Sequence, residues 1–374
     1  MELDQLDRNF TIKTTVTESD VIFRDVRDTQ AGVFGLHDPQ IPGPYRRLPR
    51  EFALRISPAV DTLSCYTSGG RCRFVTDSAY VAIRVHRPVH REAFGSHMTY
   101  LGSSGFDCYI RENGEYLYVD SLKPSMDQKE GYEAILHFPD RTMRDVTLNF
   151  PLYDHVQRLD LGLQQDAACL APPAYTVEKP VIFYGSSITQ GGCASRPGAC
   201  YAALLSRRLD FDFYNFGFSG NGLGEPEMAA YLARFDASAF VMDYDFNAPN
   251  AAHLEKTHWN FYKILRDAKP DTPILILPAC RSPIWEFRRQ EFRERRDVIR
   301  ATYDRAIADG DKKVWWLEGR DVFPPYGGVE CTVDRVHPTD LGFWAIANAM
   351  EPILREMLQN PTAQAASDRK GGTS

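Results

Sequence analysis

The chain has 374 residues, 43% hydrophobic and 25% charged, a balance that fits a folded protein with room for two domains of ordinary size. Its formal net charge of −7 argues against a general nucleic-acid or membrane-surface binder. No stretch approaches ~18 uninterrupted apolar residues, so no transmembrane helix is expected. The eight cysteines show no C-x-x-C spacing, and the acidic start Met1–Asp7 lacks the basic and apolar parts of a signal peptide. Reduced thiols and a cytoplasmic location are the expectation.

Residues 1–170 read as β structure. Runs rich in Val, Ile, Phe, Tyr and Thr recur between turn residues: Thr11–Val16, Val21–Phe23, Cys72–Val75, Tyr80–Val85, Phe106–Ile110, Tyr116–Val119, Tyr132–Phe138 and Val146–Phe150. Asn113-Gly114 between two alternating runs is a hairpin signal. No long helical periodicity interrupts the pattern, which predicts a β-sandwich or jelly roll.

The pattern weakens over 166–179, around Ala171-Pro172-Pro173-Ala174, and a domain boundary is placed there. The second domain is expected over 178–360, with residues 361–374 a disordered polar tail. Strand-like Val181–Tyr184, Phe211–Phe216, Ala239–Asp243, Pro273–Leu277 and Lys313–Leu317 alternate with helical Cys200–Leu209, Glu225–Arg234, Ala251–Ala268, 283–309 and Thr339–Leu358. Five strands alternating with helices predict an α/β domain, a parallel sheet covered on both faces. Glu286–Arg300 carries six arginines and four acids, with Glu291 and Arg295 at i,i+4, and reads as a solvated helix face rather than a phosphate site.

Chemistry concentrates where strands end. Val181–Tyr184 runs into Gly185-Ser186-Ser187-Ile188-Thr189 and then Gly191-Gly192. A serine at the carboxyl end of a buried parallel strand can present its hydroxyl to a cleft and its N–H to an oxyanion. Asp334-Arg335-Val336-His337-Pro338-Thr339 sets a carboxylate three residues before an imidazole. Asp334 can hold Nδ1–H and leave Nε2 to take a serine proton, while Thr339 caps the helix that follows. Gly217-Phe218-Ser219-Gly220-Asn221-Gly222 fits neither the dinucleotide fingerprint nor the G-x-S-x-G elbow, which leaves Ser219 a weak rival nucleophile. Asn247 follows the third strand, where a carboxamide N–H can face developing negative charge. The nine histidines include no H-E-x-x-H, and His253 and His258 are five apart, wrong for one helical face. No metal site and no cofactor are expected.

These four stretches, in this order, resemble the SGNH (GDSL-type) hydrolase family. The resemblance covers roughly residues 178–358 and places the nucleophile on Ser187. It puts oxyanion N–H groups on Ser187 and Gly220, the oxyanion carboxamide on Asn247, and the D-x-x-H pair on Asp334 and His337. It implies a flavodoxin-like three-layer α/β/α sandwich with a five-stranded parallel sheet. Ser186 stands where the family has the Asp of G-D-S, and the G-x-N-D surroundings of Asn247 are absent. The β domain ahead of it is similar in arrangement to two-domain bacterial carbohydrate esterases.

The expected activity is a serine esterase acting through an acyl-enzyme on a carbohydrate ester, removing O-acetyl groups. An acyltransferase built on the same acyl-enzyme and a carbohydrate-binding protein with a decayed site are the alternatives. The partner is a small-molecule or oligosaccharide ester, not nucleic acid or membrane, and a homo-oligomer is left open.

Overall fold

The structure, a computed structural model, describes residues 15–87, 95–124, 130–281, 289–324 and 328–359. The expected tail 361–374, most of the run Thr11–Val16 and the first part of the helix at 283–309 lie outside these residues.

The amino-terminal half carries strands β1 (Val21–Asp25), β2 (Gly32–Phe34), β3 (Arg71–Thr76), β4 (Tyr80–His86), β5 (Phe106–Glu112), β6 (Glu115–Leu122), β7 (Gly131–His137), β8 (Arg144–Asn149) and β9 (Arg158–Gln164). They form two antiparallel sheets, ordered β1-β9-β4-β7 and β2-β3-β8-β5-β6. Inward residues of both sheets share one core, including Phe74, Cys108 and Leu148 against Val81, Ile83, Leu136 and Leu161. This is a β-sandwich. At the β5–β6 turn Asn113 and Gly114 take φ of 50° and 85°, both positive as the tight hairpin demands. Strand β9 escaped the sequence reading because its Leu159, Leu161 and Leu163 alternate with Asp160 and Gly162, neither a strand former.

Two seven-residue helices also escaped it, α1 (Arg50–Ile56) and α2 (Pro58–Ser64). Each is too short to show a helical period, and Ser57 caps the second by accepting the Val60 N–H. Their Phe52, Ala53 and Val60 do not join the sandwich core. They pack with Ile182, Tyr184, Phe240 and Met242 of the second half.

That half is built on five parallel strands, β10 (Val177–Gly185), β11 (Phe211–Gly217), β12 (Ala239–Asp243), β13 (Ile274–Ile276) and β14 (Val314–Trp316), ordered β11-β10-β12-β13-β14. Helices Tyr201–Leu209 and Asp340–Leu358 cover one face. Helices Pro226–Leu232, Ala251–Ala268 and Arg289–Ala308 cover the other. Along β10, Val181 and Phe183 pack under the first face and Ile182 and Tyr184 under the second, so this buried part of the strand is apolar throughout. The result is the three-layer α/β/α sandwich that the alternation predicts. The chain reverses its direction of sheet growth at β10, with β11 on one side and β12 on the other, so the crevice of an open α/β sheet opens at the carboxyl end of β10.

Candidate active site

Ser187 sits at that crevice. Gly185 closes β10 against its neighbours, where a Cβ would overlap Thr189 Oγ1 and the Asp243 carbonyl oxygen. Ser186 then acts as N-cap of a four-residue helix, Ser187–Gln190. It accepts the Ile188 N–H at 3.2 Å, and its own N–H donates to Thr189 Oγ1 at 3.1 Å. Serine caps as well as aspartate does, which explains how Ser186 occupies the second position of the motif without disturbing the turn. Gly191, at φ 102°, ends the helix.

The Ser187 hydroxyl and His337 Nε2 are 2.9 Å apart, and His337 Nδ1 lies 2.7 Å from Asp334 Oδ2. The other carboxylate oxygen of Asp334 accepts the N–H groups of Val336 and His337 at 3.0 and 2.7 Å. Arg335 between them takes a left-handed φ of 72°, and the loop is closed below by Val333 N–H donating to the His337 carbonyl. Partial burial opposes charge on Asp334, but its bonds from the His337 ring and from the two N–H groups outweigh it and hold its pKa below the usual carboxylate range. Asp334 is therefore ionised at neutral pH. Ser219 has no bond to an imidazole among the described residues, and its N–H donates to Gln190 Oε1 at 3.1 Å.

The oxyanion side is arranged differently. The Ser187 N–H makes no hydrogen bond among the described residues. Gly220 N–H donates to Asn247 Oδ1 at 3.0 Å, and Asn247 Nδ2 donates to the carbonyls of Phe218 and Gly222 at 2.8 and 3.1 Å. Gly220 and Asn247 are thus brought together, but each is engaged with the other.

Groups that no motif singled out hold these loops. Asp245 is buried, accepts Arg295 Nε at 2.7 Å and the Ala279 N–H at 2.9 Å, and anchors the turn that carries Asn247. Burial opposes its charge, but Arg281 and Arg295 keep its pKa below normal. Arg295 is 5% exposed, not the solvated residue expected from its i,i+4 spacing with Glu291. Arg47, from the amino-terminal half, is 1% exposed and has no carboxylate partner among the described residues. It donates to the carbonyls of Asn215 (2.9 Å), Gly217 (2.5 Å), Tyr66 (2.8 Å) and Leu63 (2.7 Å), and burial lowers its pKa to about 9. Ser68 Oγ donates to the Gln190 carbonyl at 2.6 Å, and Tyr153 OH to the Ser187 carbonyl at 3.2 Å. Beneath Ser187, Asp243 accepts Thr189 Oγ1 and Tyr201 OH, both at 3.0 Å, and burial raises its pKa to about 7.

Beside His337 opens a cleft of about 530 Å³, walled by Ala59, Leu63, Tyr66, Met98 and Tyr153 from the amino-terminal half, with Ser219 and Asn221 opposite. Its size is that of a small-ligand pocket. Residues 178–355 match the GDSL-like lipase/acylhydrolase family, and residues 21–169 match the N-terminus of SGNH hydrolase-type esterases. The chain belongs to the SGNH (GDSL-type) hydrolase family.

This SGNH hydrolase is similar to a GDSL-like lipase of Bacteroides ovatus, at 25% identity and a TM-score of 0.81 over 91% of this chain and 98% of that one. It is similar in fold to SsfX3, a salicylyl-acyltransferase from a tetracycline biosynthetic pathway, at 21% identity and a TM-score of 0.75 over 92% and 99%. A family two carbohydrate esterase of Cellvibrio japonicus shares the fold at 15% identity and a TM-score of 0.56, over 90% and 98%. A search of curated proteins finds no match to the sequence. No helix among the described residues is long and apolar enough to cross a membrane.

Proposed function

We propose that this SGNH hydrolase is a serine esterase that removes O-acetyl groups from carbohydrate. The observation that carries the reading is the unbroken chain Ser187–His337–Asp334 at the mouth of a cleft. In this mechanism Ser187 Oγ attacks the ester carbonyl carbon while its proton passes to His337 Nε2. Asp334 fixes the imidazole and offsets the charge it gains. The Ser187 N–H takes the oxyanion, joined by the Gly220 N–H once it exchanges Asn247 Oδ1 for the substrate and by Asn247 Nδ2 once it releases a loop carbonyl. His337 returns the proton to the departing sugar oxygen, which leaves as a hydroxyl, and water then releases acetate from Ser187 by the same steps.

Support for a sugar comes from the wall of the cleft. Tyr66 and Tyr153, with ring centroids 5.9 Å apart, line it, and Thr62 and Asn221 offer polar groups beside them. The shared arrangement with the Cellvibrio japonicus carbohydrate esterase is consistent with this reading. One observation favours a second reading. Ala59, Leu63 and Met98 give the cleft an apolar side, which limits water at the acyl-enzyme and would let an acceptor alcohol compete, as in an acyltransferase. The test is mass spectrometry of a panel of acetylated oligosaccharides before and after incubation, with and without an added acceptor sugar. Loss of acetyl mass with release of acetate supports hydrolysis. Appearance of acetyl on the acceptor supports transfer, and no change in any substrate contradicts both.

A further inference from the structure

We propose that His97, Cys193 and His337 form a zinc site that shuts the enzyme off. One ligand atom from each of the three, imidazole nitrogens and the Cys193 sulfur, lies within 4.8 Å of the others. Two histidines and a cysteine are a donor set that zinc accepts, with bonds of about 2.0–2.3 Å and a fourth position left for water. Ligands at such lengths stand roughly 3.5 Å apart in a tetrahedron. The cluster must therefore contract by about an ångström around the ion.

The parts differ in how they can move. Cys193 is 8% exposed and fixed in a left-handed turn at φ 74°, next to Gly192, which packs against the His337 ring. His337 is held by Asp334. His97 is exposed, reaches in from the amino-terminal half, and has its ring 5.3 Å from that of His337 and its Nε2 3.8 Å from Asp334 Oδ2. His97 is the side chain free to swing inward. Charge also balances: zinc's two positive charges meet a Cys193 thiolate and the adjacent Asp334 carboxylate. Burial and Asp334 push the Cys193 thiol up to about 12, so without metal it stays protonated, and on coordination its proton passes to solvent.

The consequence follows from what His337 already does. If zinc takes Nε2, the electron pair that would receive the Ser187 proton is occupied. If it takes Nδ1, the bond to Asp334 is lost. Either way the triad is disconnected. Inhibition rests on the reading of His337 as general base, whereas binding does not.

The experiment uses the full chain and zinc chloride. Calorimetry should show one zinc per chain. Hydrolysis of a chromogenic acetyl ester should fall as zinc rises and return with EDTA. Cys193→Ala and His97→Ala should each raise the half-inhibiting zinc concentration at least tenfold, with each variant's rate referred to its own rate without zinc. With cobalt as probe, the native protein should show a thiolate-to-metal charge-transfer band that Cys193→Ala lacks. Half-inhibition unchanged in both variants, or cobalt binding without a thiolate band, would overturn the site. Should the protein turn over no ester at all, the calorimetry and the cobalt spectrum still decide whether the site exists, separately from the esterase reading.

Discussion

The two sides of Ser187 are held in different states. On one side the hydroxyl, the imidazole and the carboxylate are already joined by bonds of 2.9 and 2.7 Å. On the other, the Gly220 N–H is bonded to Asn247 Oδ1 and Asn247 Nδ2 to loop carbonyls, leaving the Ser187 N–H as the donor without an acceptor among the described residues. The difference teaches where each side gets its order. On the proton-relay side the Asp334–His337 pair is local, three residues apart in one loop, and it meets Ser187 across 150 residues of chain. The oxyanion side is assembled from three strand ends, β10, β11 and β12, and is braced by Arg47 and Arg295. A locally built unit can be ready before substrate arrives. A unit that must also satisfy buried loop polar groups binds itself until a better acceptor comes.

The largest way to break the first side is Ser187→Ala. Turnover of an acetyl ester should fall by about 10⁶-fold, with an unchanged melting temperature, since losing one hydroxyl removes little packing. Stopped assays on the purified variant check this, and retained activity would move the nucleophile elsewhere. Asp334→Asn keeps the shape but loses the charge. Its kcat should drop by up to about 10⁴-fold, with KM nearly constant, because the imidazolium formed during attack loses its partner. A loss under tenfold would mean that backbone groups orient His337 sufficiently alone.

Asn247→Ala probes the second side and should cost less, about 10²-fold in kcat, as Gly220 loses its anchor and the oxyanion loses a donor. If the rate changes by less than threefold, the Ser187 N–H alone serves the oxyanion. The smallest effect is on stability. Asp243 keeps its proton in the folded state up to about pH 7 but in the unfolded chain only to 3.8. Folding therefore takes up a proton between these values, and stability falls as pH rises through that window and stays lowered above it. The span bounds the loss at ~4 kcal/mol. Asp243→Asn removes the dependence, so its melting temperature relative to the native protein should climb from pH 5 to pH 8. A constant offset would show that burial does not raise this carboxyl.

How much of this was legible follows the same division. The β10 run, the D-x-x-H loop and the order of strand ends are contiguous patterns, and they led to Ser187, Asp334 and His337. The sheet was legible because a strand buried on both faces, such as Val181–Tyr184, must be apolar throughout. The braces were not legible. Arg47 reaches carbonyls 168 and 170 residues away, and Arg295 reaches Asp245 across 50. Nothing in the neighbourhood of Arg47 marks it as buried, and Glu291 four residues before Arg295 suggested the opposite. Ser186 was legible as a departure but not as a solution: its cap with Thr189 needs the backbone of the turn to be seen. The short helices Arg50–Ile56 and Pro58–Ser64 were hidden because two turns give no period, and their partners lie in the other half of the chain.

The central claim is that Ser187, activated by His337, is the nucleophile. A fluorophosphonate probe followed by peptide mass mapping tests it most directly, because the probe captures the attacking oxygen rather than inferring it from lost rate. One adduct per chain is expected, on the peptide bearing Ser187, absent in Ser187→Ala and slowed at least a hundredfold in His337→Ala. An adduct on Ser219, or labelling of Ser187 at the native rate without His337, would contradict it.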